Sequence, residues 1–258
     1  MAMDRRRLAE LFDLTGRTAV ITGGTRGIGL ALAEGFVAAG ANVVVASRKP
    51  EACEEAQRHL VELGGAALGV PTHLGELPAL RDLVDRSVEA FGGIDILVNN
   101  AANPVAQPLG AMTPEAWQKS FDVNLRGPVF LVQEALPHLK ASDHASVINL
   151  VSIGAFTQSP FVSMYAAGKA ALMSFTRSMA AEYAQHGIRV NAIAPGAVDT
   201  HMVRSNPPEV IEMLSQMAVQ KRLADPEEIV GPALLLASDA GSYITGHVIV
   251  ADGGSIAY

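Results

Sequence analysis

The sequence is poor in cysteine, aromatic residues and charge. Cys53 is the single cysteine of 258 residues, so the chain can form no internal disulfide and offers no thiolate cluster to a metal ion. The net charge is −7, whereas a nucleic-acid-binding surface would be basic. Apolar runs stay shorter than a membrane span. These scarcities predict a cytoplasmic protein with no metal, nucleic-acid or membrane partner.

Apolar residues, in contrast, make up 49% of the chain, which is enough for one large core. Short β-branched runs alternate with longer helical patterns, as is typical of a parallel sheet covered by helices on both faces. The predicted strands are Thr18–Thr22, Asn42–Ala46, Ala67–Pro71, Ile94–Val98, Ser146–Val151, Arg189–Ile193 and His247–Val250. The predicted helices are Gly27–Ala39, Pro50–Leu63, Leu77–Phe91, Pro114–Lys140, Ser163–His186 and Pro226–Leu236. This pattern predicts an α/β fold, a Rossmann-like doubly wound parallel sheet of about seven strands.

The alternation runs without a linker, so we predict a single dinucleotide-binding catalytic domain over 1–258. Acidic residues break the basic run within 1–13, which we interpret as a solvated N-terminal arm rather than a targeting segment. An insertion at 197–222 interrupts the alternation and carries Met213, Leu214, Met217 and Val219. It is either a substrate lid with adaptable packing or a plain surface helix.

A glycine-rich turn follows the first predicted strand. Gly23, Gly27 and Gly29 stand between Ala19-Val20-Ile21 and the helical pattern that starts at Gly27. Glycines in this context allow a tight turn, close approach of the backbone to a pyrophosphate, and close packing of helix on sheet. We therefore predict that this turn binds a dinucleotide cofactor.

The residues after the second strand bear on which dinucleotide is bound. A carboxylate there would bind the ribose 2′-hydroxyl of NAD, but this chain has Ser47, Arg48 and Lys49, and Arg26 lies inside the glycine turn. Guanidinium groups suit bidentate binding of a phosphate. NADP is favoured over NAD, the alternative being a solvated basic turn.

Ser152, Tyr165 and Lys169 are candidate catalytic residues. Tyr165 and Lys169 are four apart in a predicted helix and therefore share one face. A nearby ammonium favours ionisation of a phenol, and such a phenol can exchange a proton with an alcohol or ketone oxygen. Together with a dinucleotide site, this pattern indicates hydride transfer.

Asn124 lies four residues before Pro128 in another predicted helix. Proline has no N–H and its ring displaces the carbonyl of the residue four before it. The Asn124 carbonyl is thus predicted to be free to bind water, with Gly127 easing the kink.

These motifs occur in the order found in the short-chain dehydrogenase/reductase family, which the chain resembles from about Leu14 to Gly254. The resemblance rests on Gly23-x-x-x-Gly27-x-Gly29, Asn99-Asn100-Ala101-Ala102, Asn124, Ser152, Tyr165-x-x-x-Lys169, Pro195-Gly196 and Asp252-Gly253-Gly254. It implies that Tyr165 is the general acid/base, that Ser152 hydrogen-bonds the substrate oxygen, and that Asn124 anchors a relay water. It also implies that Lys169 holds the nicotinamide ribose and lowers the pKa of Tyr165. Further cofactor contacts are expected from Thr25, Ile28, Asn99, Ala101, Pro195, Gly196, Val198 and Thr200.

The spacing of Tyr165 and Lys169 favours carbonyl/alcohol chemistry, because relatives that reduce enoyl double bonds usually space these residues more widely. His73 stands where the family often has an aspartate at the adenine. Acyl-carrier-protein reductases dock their partner on arginines at positions that look like Asp143 and His186 here. A 3-oxoacyl thioester reductase is therefore the alternative, and an NADP-sensing regulator without turnover is the alternative of another class.

The face of helix 163–186 opposite Tyr165 is small and neutral, which predicts that another helix lies against it. Its residues are Ala167, Ala171, Ser174, Ser178 and Ala181. The family resemblance implies a homotetramer formed through helices 114–140 and 163–186. Packing within the same chain is the alternative.

Overall fold

The computed structural model describes residues 3–256 and contains one parallel sheet of seven strands. The strands are β1 (Thr18–Thr22), β2 (Asn42–Ser47), β3 (Ala67–Pro71), β4 (Ile96–Asn99), β5 (Ser146–Leu150), β6 (Arg189–Pro195) and β7 (Val248–Ala251). Their order across the sheet is β3-β2-β1-β4-β5-β6-β7. The predicted fold class is confirmed.

The helices are α1 (Arg5–Glu10), α2 (Gly27–Ala38), α3 (Pro50–Glu62), α4 (Leu77–Phe91), α5 (Pro114–Phe121), α6 (Gly127–Ala141), α7 (Ser163–Tyr183), α8 (His201–Arg204), α9 (Pro208–Met217) and α10 (Val230–Ala237). Alternate residues of one strand enter different cores, since successive side chains point to opposite faces. Val43 and Val45 join the core of α2, α3 and α10, whereas Val44 joins the core of α4, α6 and α7. The sheet is therefore buried on both faces.

The strand order reverses between β1 and β4. The chain builds outward from β1 to β3, then returns to add β4 on the other side of β1. In an open parallel sheet, ligands bind in the crevice at the carboxyl ends of the strands where the order reverses. This edge carries the glycine turn and the segments that follow β4, β5 and β6.

The single helix predicted over Pro114–Lys140 is wrong, because a π turn at Asp122–Arg126 separates α5 from α6. The Gly127 N–H donates to the carbonyl of Asp122, one residue further back than in an α-helix. Pro128 supplies no N–H to the Asn124 carbonyl. A Cβ on Gly127 would lie 2.6 Å from the Leu74 carbonyl oxygen, so the turn needs glycine where it meets the loop after β3.

Other elements differ in detail from the prediction. The helix predicted over Ser163–His186 is an α-helix only as far as Tyr183, and a 3-10 turn follows over Ala184–His186. The last predicted helix begins as a 3-10 turn, Pro226–Ile229. The N-terminal arm contains α1, whose Asp4 side chain accepts a hydrogen bond from the Arg7 N–H.

The insertion 197–222 is closed at its base. Val198 pairs with Ala224, and the Asp199 N–H donates to the Ala224 carbonyl at 2.8 Å. Between these contacts lie α8 and α9. Within residues 3–256, no helix combines the length and apolarity that a membrane crossing requires. Met1, Ala2, Ala257 and Tyr258, the ends of the predicted domain, lie outside the described residues, and the cytoplasmic location stays a prediction.

Candidate active site

Ser152 and Tyr165 meet where β5 ends and α7 begins. Ser152 opens a 3-10 turn at Ile153–Ala155, and its Oγ accepts a hydrogen bond from the Gly154 N–H at 3.1 Å. Tyr165 lies in the first turn of α7, partly exposed, and its phenol interacts with the Ser152 side chain. Two polar groups able to contact one substrate oxygen are therefore side by side.

Lys169 follows one turn later and is almost completely buried, with 1% of its surface exposed. Its Nζ donates to the carbonyl oxygen of Leu150 at 2.6 Å and lies 5.8 Å from the centroid of the Tyr165 ring. The contact fixes α7 to the end of β5, two residues before Ser152.

Burial dominates the ionisation of both groups. It raises the pKa of the Tyr165 phenol, with the Ser152 interaction acting in the opposite direction, and it lowers the pKa of Lys169 to about 7. The expected lowering of the Tyr165 pKa by Lys169 is therefore not found in the protein alone. The physical reason is that desolvation disfavours the phenolate and the ammonium alike.

Asn124 is fully buried in the π turn and joins it to the loop after β4. Its Nδ2 donates to the carbonyl oxygens of Asn103 at 2.8 Å and Ser120 at 2.9 Å, and its Oδ1 accepts from the Asn103 N–H at 3.0 Å. A Cβ built on Gly168 would lie 3.2 Å from the Asn124 Cβ, so the π turn packs against α7 beside Lys169.

A buried polar chain below the site was missed by the sequence reasoning. Asn99 Nδ2 donates to Asn149 Oδ1 at 2.8 Å, and Asn149 Nδ2 donates to Thr176 Oγ1 at 2.9 Å. The side-chain amide of Asn99 is buried and turned to β5, and a cofactor contact by this residue stays a prediction. The available signal was Asn149 itself, a polar residue inside an apolar strand, where a buried amide needs a partner.

The glycine turn has the shape that the sequence predicts. Gly23 and Gly27 have φ values of 65° and 54°, and a Cβ on Gly29 would lie 2.2 Å from the Gly23 carbonyl oxygen. Asn100, a residue absent from the predicted contacts, secures the turn by donating to the carbonyl of Thr22 at 2.9 Å. The turn opens α2, whose N-cap Arg26 makes no side-chain cap hydrogen bond. Unbonded N–H groups at a helix N-terminus fit a pyrophosphate.

The basic residues near this turn have no acidic partner. Arg26, Arg48 and Lys49 are exposed, and within residues 3–256 none of them forms an ion pair. Ser47 ends β2, and the described chain places no carboxylate directly after it. His73 is exposed and accepts at Nδ1 from the Gly75 N–H at 3.1 Å, closing its own turn.

The remaining predicted cofactor residues gather at the same edge of the sheet. A Cβ on Gly27 would lie 3.1 Å from Thr200 Cγ2, and one on Gly196 would lie 2.8 Å from Asp252 Cα. Val198 is buried in the core and Ile28 packs against it. Thr25 follows β1, Ala101 follows β4, and Pro195 is the last residue of β6. Roles for these residues stay predictions.

Comparisons with known proteins agree with this geometry. A family model described as enoyl-(acyl carrier protein) reductase matches residues 23–255. The chain is 38% identical over 250 residues to 3beta-hydroxysteroid dehydrogenase 1 of Eggerthella lenta, covering 95% of this chain and 96% of that protein. It is 37% identical over 240 residues to cis-4-hydroxycyclohexanecarboxylate dehydrogenase of Sinomonas cyclohexanicum, covering 92% and 96%.

Among solved structures, a 3-oxoacyl (acyl-carrier-protein) reductase from Agrobacterium tumefaciens C58 with NADP bound superposes with a TM-score of 0.91 at 37% identity. The match covers 98% of this chain and 100% of the other. The fold and the site define an oxidoreductase that acts on CH–OH groups and carbonyls. This chain belongs to the short-chain dehydrogenase/reductase family.

The buried Lys169 makes the stability of the cofactor-free protein depend on pH. Its pKa falls from 10.5 to about 7 on folding, so between these values the unfolded chain binds more protons than the folded protein. The contribution of this group to the free energy of unfolding should therefore rise as pH rises through that interval, by up to a few kcal/mol (order of magnitude). Below about pH 7 the cost of charging the buried amine is fully present.

Urea unfolding across this interval measures the effect. Lys169→Met keeps the length of the side chain but carries no titratable group, so its stability should vary less with pH. An equally steep rise in both proteins would contradict the assignment.

Proposed function

We propose that this protein is an NADP(H)-dependent oxidoreductase that interconverts ketones and secondary alcohols. The observation that carries the proposal is the junction of β5 and α7, where the Tyr165 phenol interacts with the Ser152 side chain beside the buried Lys169 amine. This junction lies at the carboxyl edge of the sheet that also carries the glycine turn. A proton donor and a dinucleotide site at one edge suit carbonyl reduction.

The raised pKa of Tyr165 keeps its phenol protonated at neutral pH. In the direction of reduction, Tyr165 would give this proton to the carbonyl oxygen, while the Ser152 hydroxyl donates a hydrogen bond to the same oxygen. When bound, the nicotinamide supplies the hydride to the carbonyl carbon and accepts it in the reverse direction. Oxidation of the alcohol reverses the proton transfer, so Tyr165 then accepts the proton.

Lys169 and Asn124 would complete the site. Lys169 is held by the Leu150 carbonyl, and its amine would bind the ribose of the cofactor, as the family resemblance implies. The side chain of Asn124 is fixed by three hydrogen bonds to its neighbours. Its backbone carbonyl receives no hydrogen bond from Pro128, because proline has no N–H. A water there would return a proton to Tyr165 after each turnover.

NADP is the proposed cofactor because Arg26, Arg48 and Lys49 are cations without an acidic partner in the described chain. Arg48 and Lys49 at the end of β2, together with Arg26 in the glycine turn, would bind the 2′-phosphate of NADP more strongly than the neutral 2′-hydroxyl of NAD. The solved relative with NADP bound supports this preference.

The 3-oxoacyl thioester reductase is the second candidate, favoured by the name of that solved relative. Docking of an acidic carrier would need exposed cations near β5 and the end of α7. Asp143 is an exposed acid, and Arg189 is turned inward, donating to the Ser238 carbonyl at 3.3 Å. A panel of ketones, 3-oxoacyl thioesters and alcohols, followed by NADPH and NADH absorbance, separates both candidates from a regulator without turnover.

Tyr165→Phe should abolish most of the turnover and leave the fold intact, because it removes the transferable proton and keeps the ring. General acid/base catalysis contributes typically ~10²–10⁴-fold, so we expect kcat to fall at least ~10²-fold. Tyr183→Phe, at the other end of α7, is the matched control and should retain activity. Turnover of the Tyr165→Phe enzyme close to that of the control would remove Tyr165 from its proposed role.

Arg48→Ala should weaken NADPH binding more than NADH binding. The difference between the two binding free energies should shrink by roughly 1.5–3 kcal/mol, which is the contribution of one hydrogen bond to a charged group. Isothermal calorimetry gives both affinities. Arg58→Ala removes an equal charge further along α3 and should leave the gap unchanged. If the unmutated protein binds NADH as tightly as NADPH, the phosphate-binding role is wrong.

We further propose that the small face of α7 is an assembly surface in a homotetramer. Ala167, Ser174, Ser178 and Ala181 are exposed in the protomer, and Ala171 is partly so. Small side chains let a second helix approach closely, and helices 114–140 and 163–186 would form the contact. The insertion 197–222 is proposed as the substrate lid.

Ser174→Arg should dissociate the assembly, because a guanidinium in a close helix–helix contact would be buried without a partner. Light scattering coupled to size exclusion gives the mass. Val61→Arg places the same charge on an exposed position of α3 and should leave the mass unchanged. A wild-type protein that elutes with the 27.0 kDa mass of one chain would rule out the tetramer.

A further inference from the structure

Two loops that flank Ser152 and Tyr165 lack ionisable acids and bases altogether. The segment 100–113 follows β4 and the segment 151–164 follows β5, and neither contains Asp, Glu, Lys, Arg or His. The Gln107 N–H donates to the Phe161 carbonyl at 2.7 Å, so the two loops are joined above the site. The walls nearest the candidate proton donor therefore offer a substrate only neutral groups.

Each of these loops has one large apolar side chain that is mostly exposed. Leu109 is 69% exposed and Phe161 is 64% exposed. Phe161 also has a φ of 65°, a conformation that costs free energy for a bulky residue and persists where the surroundings enforce it. Exposed apolar side chains grouped beside a site usually mark a surface that binds something apolar.

The lid adds a third apolar surface. On α9, Val210, Ile211 and Leu214 are partly buried. Met213 and Met217 lie one turn apart at the edge of this buried side, form the methionine side of the helix, and are 54% and 53% exposed. Glu209 and Gln216 border Met213, and Gln216 donates to Glu212 at 3.0 Å. The methionine side thus has an apolar surface that the protomer does not cover.

The basic side chains of the insertion 197–222 are already engaged. Arg204 is paired with Asp199, Arg222 is paired with Glu228, and Lys221 Nζ donates to the Gln216 carbonyl at 2.7 Å. Lys169 is buried on the Leu150 carbonyl. Within the described chain, the exposed His201 at the start of α8 and Lys221, whose hydrogen bond is to a neutral carbonyl, are the basic groups of the lid without an acidic partner.

We propose that the substrate is an uncharged, predominantly apolar ketone or secondary alcohol, and that the site selects against carboxylated and phosphorylated carbonyls. The inference rests on the proposed function and names its substrate class. Desolvating a carboxylate against these loops without a partner is costly, whereas each apolar area removed from water is favourable. Met213 and Met217 would cover the apolar part of the bound substrate.

A matched pair of ketones tests the charge selection. Methyl 4-oxocyclohexanecarboxylate and 4-oxocyclohexanecarboxylate have the same ring and carbonyl and differ in one negative charge. We expect kcat/KM with NADPH to be at least about tenfold higher for the ester, since an unpaired buried charge costs well over a tenfold factor.

A positive charge placed on the methionine side of α9 tests whether this side contacts the bound substrate. Met213→Lys should lower KM for the acid and narrow the ester-to-acid ratio several-fold, because a new ammonium can pair with the carboxylate. Ser215→Lys adds the same charge two residues further along α9, on the side of the helix away from Met213, and should leave the ratio as in the wild type. An equal shift in both variants would overturn the placement of Met213 at the substrate.

These measurements distinguish failure of the proposed substrate class from failure of the proposed oxidoreductase activity. If the acid is reduced as efficiently as the ester, the substrate class is wrong and the carbonyl oxidoreductase stands. If neither is reduced, calorimetry on the Tyr165→Phe protein with NADPH still decides the inference. Tighter binding of the ester would support it while the proposed activity falls, and equal or tighter binding of the acid would overturn it.

Discussion

The hydrogen bond from Lys169 Nζ to the Leu150 carbonyl is the contact on which the geometry of the site depends. It joins the catalytic helix α7 to the end of β5, so Tyr165 and Ser152, which are separated along the chain, are held together. Because Lys169 is fully buried, its amine cannot exchange this acceptor for water. A buried amine without an acceptor would be costly, which makes the contact obligatory.

Further along α7, Thr176 makes a second contact between this helix and β5. Thr176 accepts from Asn149 at 2.9 Å and donates to the Leu172 carbonyl at 2.9 Å, while Asn149 also accepts from Asn99 on β4. The helix is therefore fixed to β5 at two heights, and Asn149 links this contact to β4. Buried polar networks of this kind specify one arrangement, since any shift leaves amide groups without partners.

The loops after β4 and β5 differ in charge from the amino edge of the sheet. At the amino edge, Arg17 pairs with Asp239 at 2.9 Å, and Asp95 accepts from the Thr18 N–H at 2.7 Å. At the carboxyl edge, the loops after β4 and β5 have no charged residue over 100–113 and 151–164. The ion pair of Arg17 and Asp239 thus lies away from Ser152 and Tyr165, where an unpaired ion would be desolvated by a bound substrate.

The order of strands, helices and motifs along the sequence was sufficient to predict the parallel sheet. It was also sufficient to predict that the glycine turn, Ser152, Tyr165 and Lys169 lie at one edge of that sheet. Parallel strands direct all their carboxyl ends to the same side, so residues that follow strands converge whatever their separation. The period of the hydrophobic pattern is local information, and it located every strand to within about two residues. Local chemistry also predicts that Pro128 cannot donate to the Asn124 carbonyl, and the role of that carbonyl stays a prediction.

Tertiary packing decided what local pattern could not. The π turn at Asp122–Arg126 depends on the contact of Gly127 with the loop after β3, a segment distant in sequence. The inward orientation of Asn99 depends on Asn149, and the balance of the Tyr165 and Lys169 pKa values depends on burial rather than on their spacing. Spacing along a helix fixes which side chains share a face. How deeply that face is buried is set by the strands and loops that cover it, and desolvation then outweighs the attraction between neighbours.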